Sequence, residues 1–396
     1  MRTLLATAAA AALMASAAPA QETAKIGILL GYTGPIESLT PGMADSAELA
    51  IKEVNESGNL LGGEVTLEPV RADSTCIDNA AATAAAERLV NSDNVVAIVG
   101  ADCSGVTTAV VNNVAVPNGV PIISPSATSP ALSTIEDNDL FFRTSPSDAR
   151  QGEVLANILM DKGVEEVAVT YTNNDYGKGL ADAFEQFYTE LGGEVTISTS
   201  HEDGKGDYSA EVGALQASGS DVLCVFGYAD QGGVGVIRSA VDSGAFDRFC
   251  LGDGMFSESL IEAIGPDLNE TVGSVPWSEG EGSEAFIAEA EEAGVDPDGS
   301  FRRESYDAAA LIALAMQKGG EATREAVAAN IMDVANEPGE KILPGELGKA
   351  LQILADGGEI DYVGATAVEL VGPGEAAGTY REYVVEDEAY ETVQFR

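Results

Sequence analysis

From Lys25 onward, short apolar runs alternate with stretches whose apolar residues recur at helical spacing. Runs at 26–30, 65–71, 95–99 and 120–123 predict strands, and helical patterns fall between them at about 42–57, 78–91 and 105–115. Apolar runs this short, linked by amphipathic helices, belong to parallel sheets covered on both faces. The pattern then restarts. Strands are predicted at 167–171, 194–198, 221–226, 249–251 and 272–276, with helices at about 176–191, 207–218, 231–243 and 257–264. The seam lies near Phe142–Pro146.

The chain beyond 277 is mostly helical, at about 283–293, 303–319, 323–334 and 345–355, and ends in a β-like tail from Gly358 with a turn at 372–374. A block without its own sheet is expected to return and cover the first unit. The expectation is therefore α/β, two doubly wound parallel-sheet lobes joined by three hinge crossings near 145, 277 and 360. Residues 21–145 with 277–360 would form one lobe, and 146–276 with 361–396 the other. Such a clamshell opens and closes about its crossings.

Residues 1–20 carry Arg2, an apolar stretch over 4–15 and Ala18-Pro19-Ala20, the pattern of a secretory signal peptide cut before Gln21. No later apolar run approaches the roughly 18 residues a spanning helix needs. A soluble, exported, periplasmic protein is expected. Export changes the reading of the four cysteines, at 76, 103, 224 and 250, toward disulfides. Of three connectivities, Cys76–Cys103 with Cys224–Cys250 keeps each pair within one half of the chain. A buried free thiol at Cys224 is the alternative, since it sits in an apolar run.

The chain has 396 residues, 65 acidic against 20 basic side chains and one histidine, a net charge of -45. That excludes nucleic-acid binding, which needs clustered Lys and Arg, and disfavours attraction to anionic membranes. The acidic stretch 279–292 reads as a solvated helix face. His201 lies in the polar turn His201-Glu202-Asp203-Gly204 and is expected to be exposed, which leaves a catalytic triad without its base. No phosphate-binding loop or zinc motif occurs, so no cofactor, no metal and no catalytic residue are assigned.

Ligands of open parallel sheets bind beyond the carboxyl ends of the strands. The first unit's turns there, Gly31–Pro35, Gly100–Gly105 and Ser124–Thr128, are rich in hydroxyls and free N–H groups. The second unit's turns, at 173–177, 227–230 and 252–254, bring tyrosines and a carboxylate. This asymmetry suits a zwitterion. Ser104, as the cap of a helix N-terminus, would face the ligand's carboxylate, and Asp253 its ammonium.

Several of these turns carry a resemblance. The opening Ile26-Gly-Ile-Leu-Leu-Gly-Tyr-Thr-Gly-Pro35, Gly62-Gly63, Ile98-Val-Gly-Ala-Asp-Cys-Ser104, Ile122-Ile-Ser-Pro-Ser-Ala-Thr128, Asp175-Tyr-Gly-Lys-Gly179 and Gly206-Asp-Tyr-Ser209 occur in this order. With them the chain resembles the periplasmic Leu/Ile/Val-binding proteins, solute receptors of ABC transporters. The resemblance implies a non-catalytic receptor that hands an aliphatic amino acid to an inner-membrane permease; a receptor that moves is expected to be a monomer. It implies that Ser104 binds the ligand carboxylate, and that Ser126, Ala127 and Thr128 complete the carboxylate and amino contacts. Tyr176 and Tyr228 would close over the ligand, Asp253 would meet the ammonium, and Cys76–Cys103 would pin the serine loop. Leu39 stands where the family carries an aromatic residue against the ligand side chain, and Phe142 and Trp277, near the crossings, are candidates to compensate. An envelope sensor for amides or urea on the same fold, and an exported hydrolase, are the rival readings.

Overall fold

The computed structural model describes residues 21–396, so the signal peptide read over residues 1–20 lies outside the described residues. Two seven-stranded sheets organise the chain. Across the first the order is Leu370–Val371, Glu375–Ala376, Phe141–Arg143, Ile122–Ser124, Ala97–Gly100, Glu22–Leu30 and Val65–Asp73. Across the second it is Ala389–Phe395, Tyr380–Glu386, Val272–Pro276, Arg248–Leu251, Val222–Phe226, Glu166–Thr172 and Glu194–His201. The five strands contributed by each α/β unit run parallel. Tail strands complete one edge of each sheet: Glu375–Ala376 pairs parallel with Phe141–Arg143 and carries Leu370–Val371 antiparallel beyond it, and Tyr380–Glu386 pairs antiparallel with Val272–Pro276. Both lobes thus place their strand reversal at the first strand, where loops diverge and leave a crevice.

The returning helical block has only a short two-stranded sheet of its own, Glu340–Ile342 with Ile360–Tyr362, and it covers the first sheet. Helix Arg302–Gly319 is buried from Arg303 to Gln317 and packs on helix Thr40–Ser57. Helix starts are set locally: Asp78 accepts the N–H groups of Ala80 and Ala81, Ser147 that of Ala149, and Asn174 that of Gly177. At Gly100, φ is +125°, and a Cβ would fall 2.2 Å from the Leu29 carbonyl oxygen, so only glycine fits where the serine loop leaves the sheet.

Three expectations need correction. The last crossing is not near 360 but at 377–379, because strands Leu370–Val371 and Glu375–Ala376 join the first sheet and only Tyr380–Glu386 enters the second. Residues 361–376 therefore belong with the first lobe. The crossings run side by side: Trp277 N–H donates to the Thr379 carbonyl at 3.0 Å, and Tyr380 Oη donates to the Ser147 carbonyl at 3.3 Å.

Cys224 and Cys250 are free and buried, not bridged. They are register partners on adjacent parallel strands. Their side chains project in parallel, about the 4.8 Å strand spacing apart, whereas a disulfide draws Cβ atoms to about 3.8 Å. The ladder on both sides opposes that approach. Cys76 and Cys103 do form a disulfide, S–S 2.08 Å.

The helix Glu281–Ala293 exposes Glu281, Glu284, Glu291 and Glu292. Glu289, however, turns inward to accept the Tyr306 hydroxyl at 3.1 Å, a hydroxyl also shared with Glu53. Burial and the Glu53 charge push the Glu289 carboxyl up to about 8.

Candidate functional site

The first lobe builds its side of the cleft on a buried carboxylate. Asp102 accepts the Gly31 N–H at 2.5 Å and the Ser74 hydroxyl at 2.7 Å, joining the turns that follow three strands. The adjoining Cys76–Cys103 bridge fastens the same loop. Ser104 is not the helix cap: Cys103 holds that position without a side-chain bond, and Ser104 is the first helical residue. Its hydroxyl accepts the Ser129 N–H at 3.1 Å, which ties the helix to the neighbouring loop. On that loop, Ser124 Oγ accepts the Ala127 N–H at 2.9 Å, Ser126 Oγ donates to the Asp102 carbonyl at 3.1 Å, and Thr128 Oγ1 is buried without a partner.

The second lobe answers with an aromatic pair over a carboxylate. Tyr176 starts helix Asp175–Glu190 and stacks on Tyr228, centroids 5.2 Å apart. Its hydroxyl donates to Asp253 Oδ1 at 2.6 Å, and the Gly254 N–H donates to that same oxygen at 2.9 Å. Burial raises the Asp253 carboxyl to about 6, against the lowering effect of these two donors. Desolvation likewise holds the Tyr176 and Tyr228 hydroxyls well above their ordinary value, so both stay protonated donors.

Between the lobes lies a narrow cavity. Asp102, Cys103, Ser104 and Ser126 line it from one side, and Tyr176, Tyr228, Asp253 and Gly254 from the other. Ala127 and Thr128 lie behind this wall, both fully buried. The remaining lining is apolar: Ile36, Leu39, Met43 and Phe301. The structure thus gathers Ser104, Ser126, Tyr176, Tyr228 and Asp253 at one place, although they come from five separate turns. Asp102 and Phe301 also line the cavity, and the sequence reading did not single them out. Asp102 lay within the quoted serine-loop motif; Phe301 has no sequence signal, because it enters from a helix start some 200 residues after that loop.

The proposed compensating aromatics do not line the cavity. Phe142 is buried in the first sheet, and Trp277 lies against Arg303, whose guanidinium is 4.1 Å from its ring centre. His201 is also corrected: it is buried at the end of its strand, its Nδ1 paired with Thr170 Oγ1 at 2.9 Å. Desolvation lowers its pKa to about 4, so it is neutral. Among the described residues, no three His, Cys, Asp or Glu side chains are placed to hold a metal, and no helix is long and apolar enough to cross a membrane.

A family described as "Periplasmic binding protein" matches residues 23–345. The leucine-, isoleucine-, valine-, threonine- and alanine-binding protein of Pseudomonas aeruginosa is 30% identical over 318 residues, covering 79% of this chain and 83% of the relative. A solved structure of the substrate-binding protein of a branched-chain amino acid transporter from Streptococcus pneumoniae, in complex with isoleucine, is similar with a TM-score of 0.76 and 23% identity, covering 94% of this chain and 99% of that one. A solute-binding protein from R. palustris in complex with 4-hydroxybenzoate matches with the same TM-score of 0.76 at 20% identity, over 95% and 97%. These two structures share the fold and hold different ligands, so the fold does not choose between them.

Proposed function

Since the chain belongs to the periplasmic binding protein family, we propose that it is the receptor of an ABC importer for a branched-chain or other aliphatic amino acid. It captures the amino acid between its lobes and hands it to an inner-membrane permease. It acts in the periplasm, as a monomer and without catalysis.

One observation carries the choice of ligand: a buried carboxylate, Asp253, faces a hydroxyl-rich loop across a cavity whose remaining wall is aliphatic and aromatic. An aromatic acid lacks the ammonium that would compensate Asp253, and an unpaired buried carboxylate is costly. A zwitterion supplies both charges, and Ile36, Leu39, Met43 and Phe301 suit an apolar side chain. In this reading the Ser104 loop takes the carboxylate, Ser126, Ala127 and Thr128 complete the polar contacts, and Tyr176 and Tyr228 close over the ligand. Excluding water from such contacts strengthens each charge-assisted bond. The ligand thereby favours the closed arrangement through contacts with both lobes.

A thermal-shift screen over aliphatic amino acids, short amides, urea and small aromatic acids tests the proposal, with calorimetry on the hits. Leucine, isoleucine or valine should give the largest stabilisation. Stabilisation by amides or benzoates alone, or turnover of the bound compound, would overturn it.

A further inference from the structure

Asp148 opens the helix that begins after the first crossing, and its side chain is fully buried. Neither carboxylate oxygen has a hydrogen-bond partner. A buried carboxylate without partners is among the costlier features a fold can keep, and the obvious local partners are already committed. The helix N-terminus offers no free N–H, because Ala149 N–H donates to Ser147 Oγ, and the N–H groups of Arg150 and Gln151 donate to the Ser147 carbonyl. The Asp148 N–H itself goes to the Thr128 carbonyl at 2.8 Å.

The nearby cation is committed too. Arg143 Nε and Nη2 bind Glu375, Nη2 also binds Ser133 Oγ, and Nη1 binds the carbonyls of Ala127 and Ser129. All five guanidinium N–H groups are thereby accounted for. Thr128 Oγ1, close enough to bear on the carboxylate, has no well-aligned hydrogen bond to it or to any other group. Asp253 is near enough for its charge to act on Asp148. Two carboxylates and an unused hydroxyl, drawn from both lobes and the crossing between them, therefore lie close together, and the one cation whose charge reaches Asp148, Arg143, has its N–H groups committed elsewhere.

We propose that Asp148 is a second counter-charge for the ligand's ammonium, acting with Thr128 and Asp253, and that its cost in the empty protein is retained for binding. The assignment rests on the amino-acid reading above. An ammonium offers three N–H donors and one positive charge; Asp253 supplies an acceptor on the cavity wall, and Thr128 Oγ1 and Asp148, buried behind that wall, supply polarity and charge at the crossing itself. Burial and the Asp253 charge push the Asp148 carboxyl well above the usual range, in keeping with a group that awaits a cation. Asp148 is thus a positioning and charge-balancing residue whose effect should depend on the ligand's amino group.

Asp148→Asn keeps the shape and removes the charge. The expected result is a pair of opposite effects: a higher melting temperature for the ligand-free protein, and at least a tenfold loss of leucine affinity. Affinity for 4-methylpentanoate, leucine without its amino group, should not fall. A merely structural residue would lower stability and both affinities together, and that outcome overturns the proposal. So does leucine affinity within twofold of wild type. Should Asp148→Asn fail to fold, Asp148→Ser is read by the same three measurements. Wild-type protein that binds no amino acid overturns the functional reading and this assignment with it; wild-type and Asp148→Asn proteins that bind equally overturn this assignment alone.

Discussion

The Asp230 carboxylate, on the second lobe, accepts the backbone N–H of Ser38, on the first, at 2.8 Å. Asp230 N–H donates in return to the Pro35 carbonyl at 3.1 Å, and Ser259 Oγ donates to its other carboxylate oxygen at 2.7 Å. The loop held this way carries Ile36 and Leu39, which wall the cavity. Asp230 therefore latches the lobes together without lining the site.

Asp230→Ala should speed ligand release and weaken binding by about tenfold, the scale of one charge-assisted hydrogen bond at a partly wet contact. Stopped-flow dissociation measures the rate, and small-angle scattering should show a larger radius of gyration. A release rate equal to wild type would show that the latch does not hold the closed state.

Ser104→Ala removes a hydroxyl from the cavity wall and the acceptor for the Ser129 N–H. Amino-acid affinity should fall at least tenfold while the circular dichroism spectrum is preserved. Wild-type affinity in calorimetry would remove Ser104 from the carboxylate site.

Binding should weaken in acid. In the empty protein the Asp253 carboxyl is raised from 3.8 to about 6. Pairing with an ammonium requires the ionised form, so below pH 6 the proton it gains must first leave. This group alone should weaken affinity about tenfold per pH unit below its pKa, and not at all above pH 7. A calorimetric titration series from pH 5 to 8 measures the slope. For Asp253→Asn the slope should flatten, with amino acids penalised more than ligands lacking an ammonium.

Stability has a separate acid limb. His201 is held neutral, its pKa lowered from 6.5 to about 4. Its contribution is complete above pH 6.5 and is lost as the pH falls through 4, because the unfolded chain binds the proton first; the full loss is about 3 kcal/mol. Glu304 and Glu289, both raised to about 8, act in the opposite sense: their contribution is complete below about 4.5 and fades as the pH rises through 8. The His201 effect is therefore read as the difference between wild type and His201→Asn in denaturant melts at pH 4 and 7. Identical differences at both pH values would contradict it.

Thiol titration should find no reactive cysteine in the native protein and two after unfolding without reductant. Reducing Cys76–Cys103 should destabilise by about 3–4 kcal/mol on the loop-entropy account. It should also loosen the serine loop and lower affinity. Four reactive thiols without reductant would mean the bridge is not formed.

Much of the fold was legible because its signals are local. A strand's apolar run, a helix's spacing and an Asp or Asn before a helix act within a few residues, so both α/β units could be drawn from the chain. The turns at the carboxyl ends were legible for the same reason, and Ser104, Ser126, Tyr176, Tyr228 and Asp253 lay in them. Local pattern misjudged side chains whose surroundings come from elsewhere. His201 ends a strand in a polar stretch, yet strand 166–172 and glycines 227 and 232 enclose it. Cys224 and Cys250 looked like partners by position, and strand register set them side by side without bridging.

By itself, then, the sequence determined the two lobes, the turns that face one another, and the first disulfide expected from the resemblance. The tertiary structure decided the last crossing, the apolar wall with Phe301, the latch at Asp230 and the isolation of Asp148. The division has a physical cause. Periodicity and turn chemistry depend on neighbours along the chain, whereas burial, unpartnered charge and closure depend on residues distant in sequence that only the fold brings together.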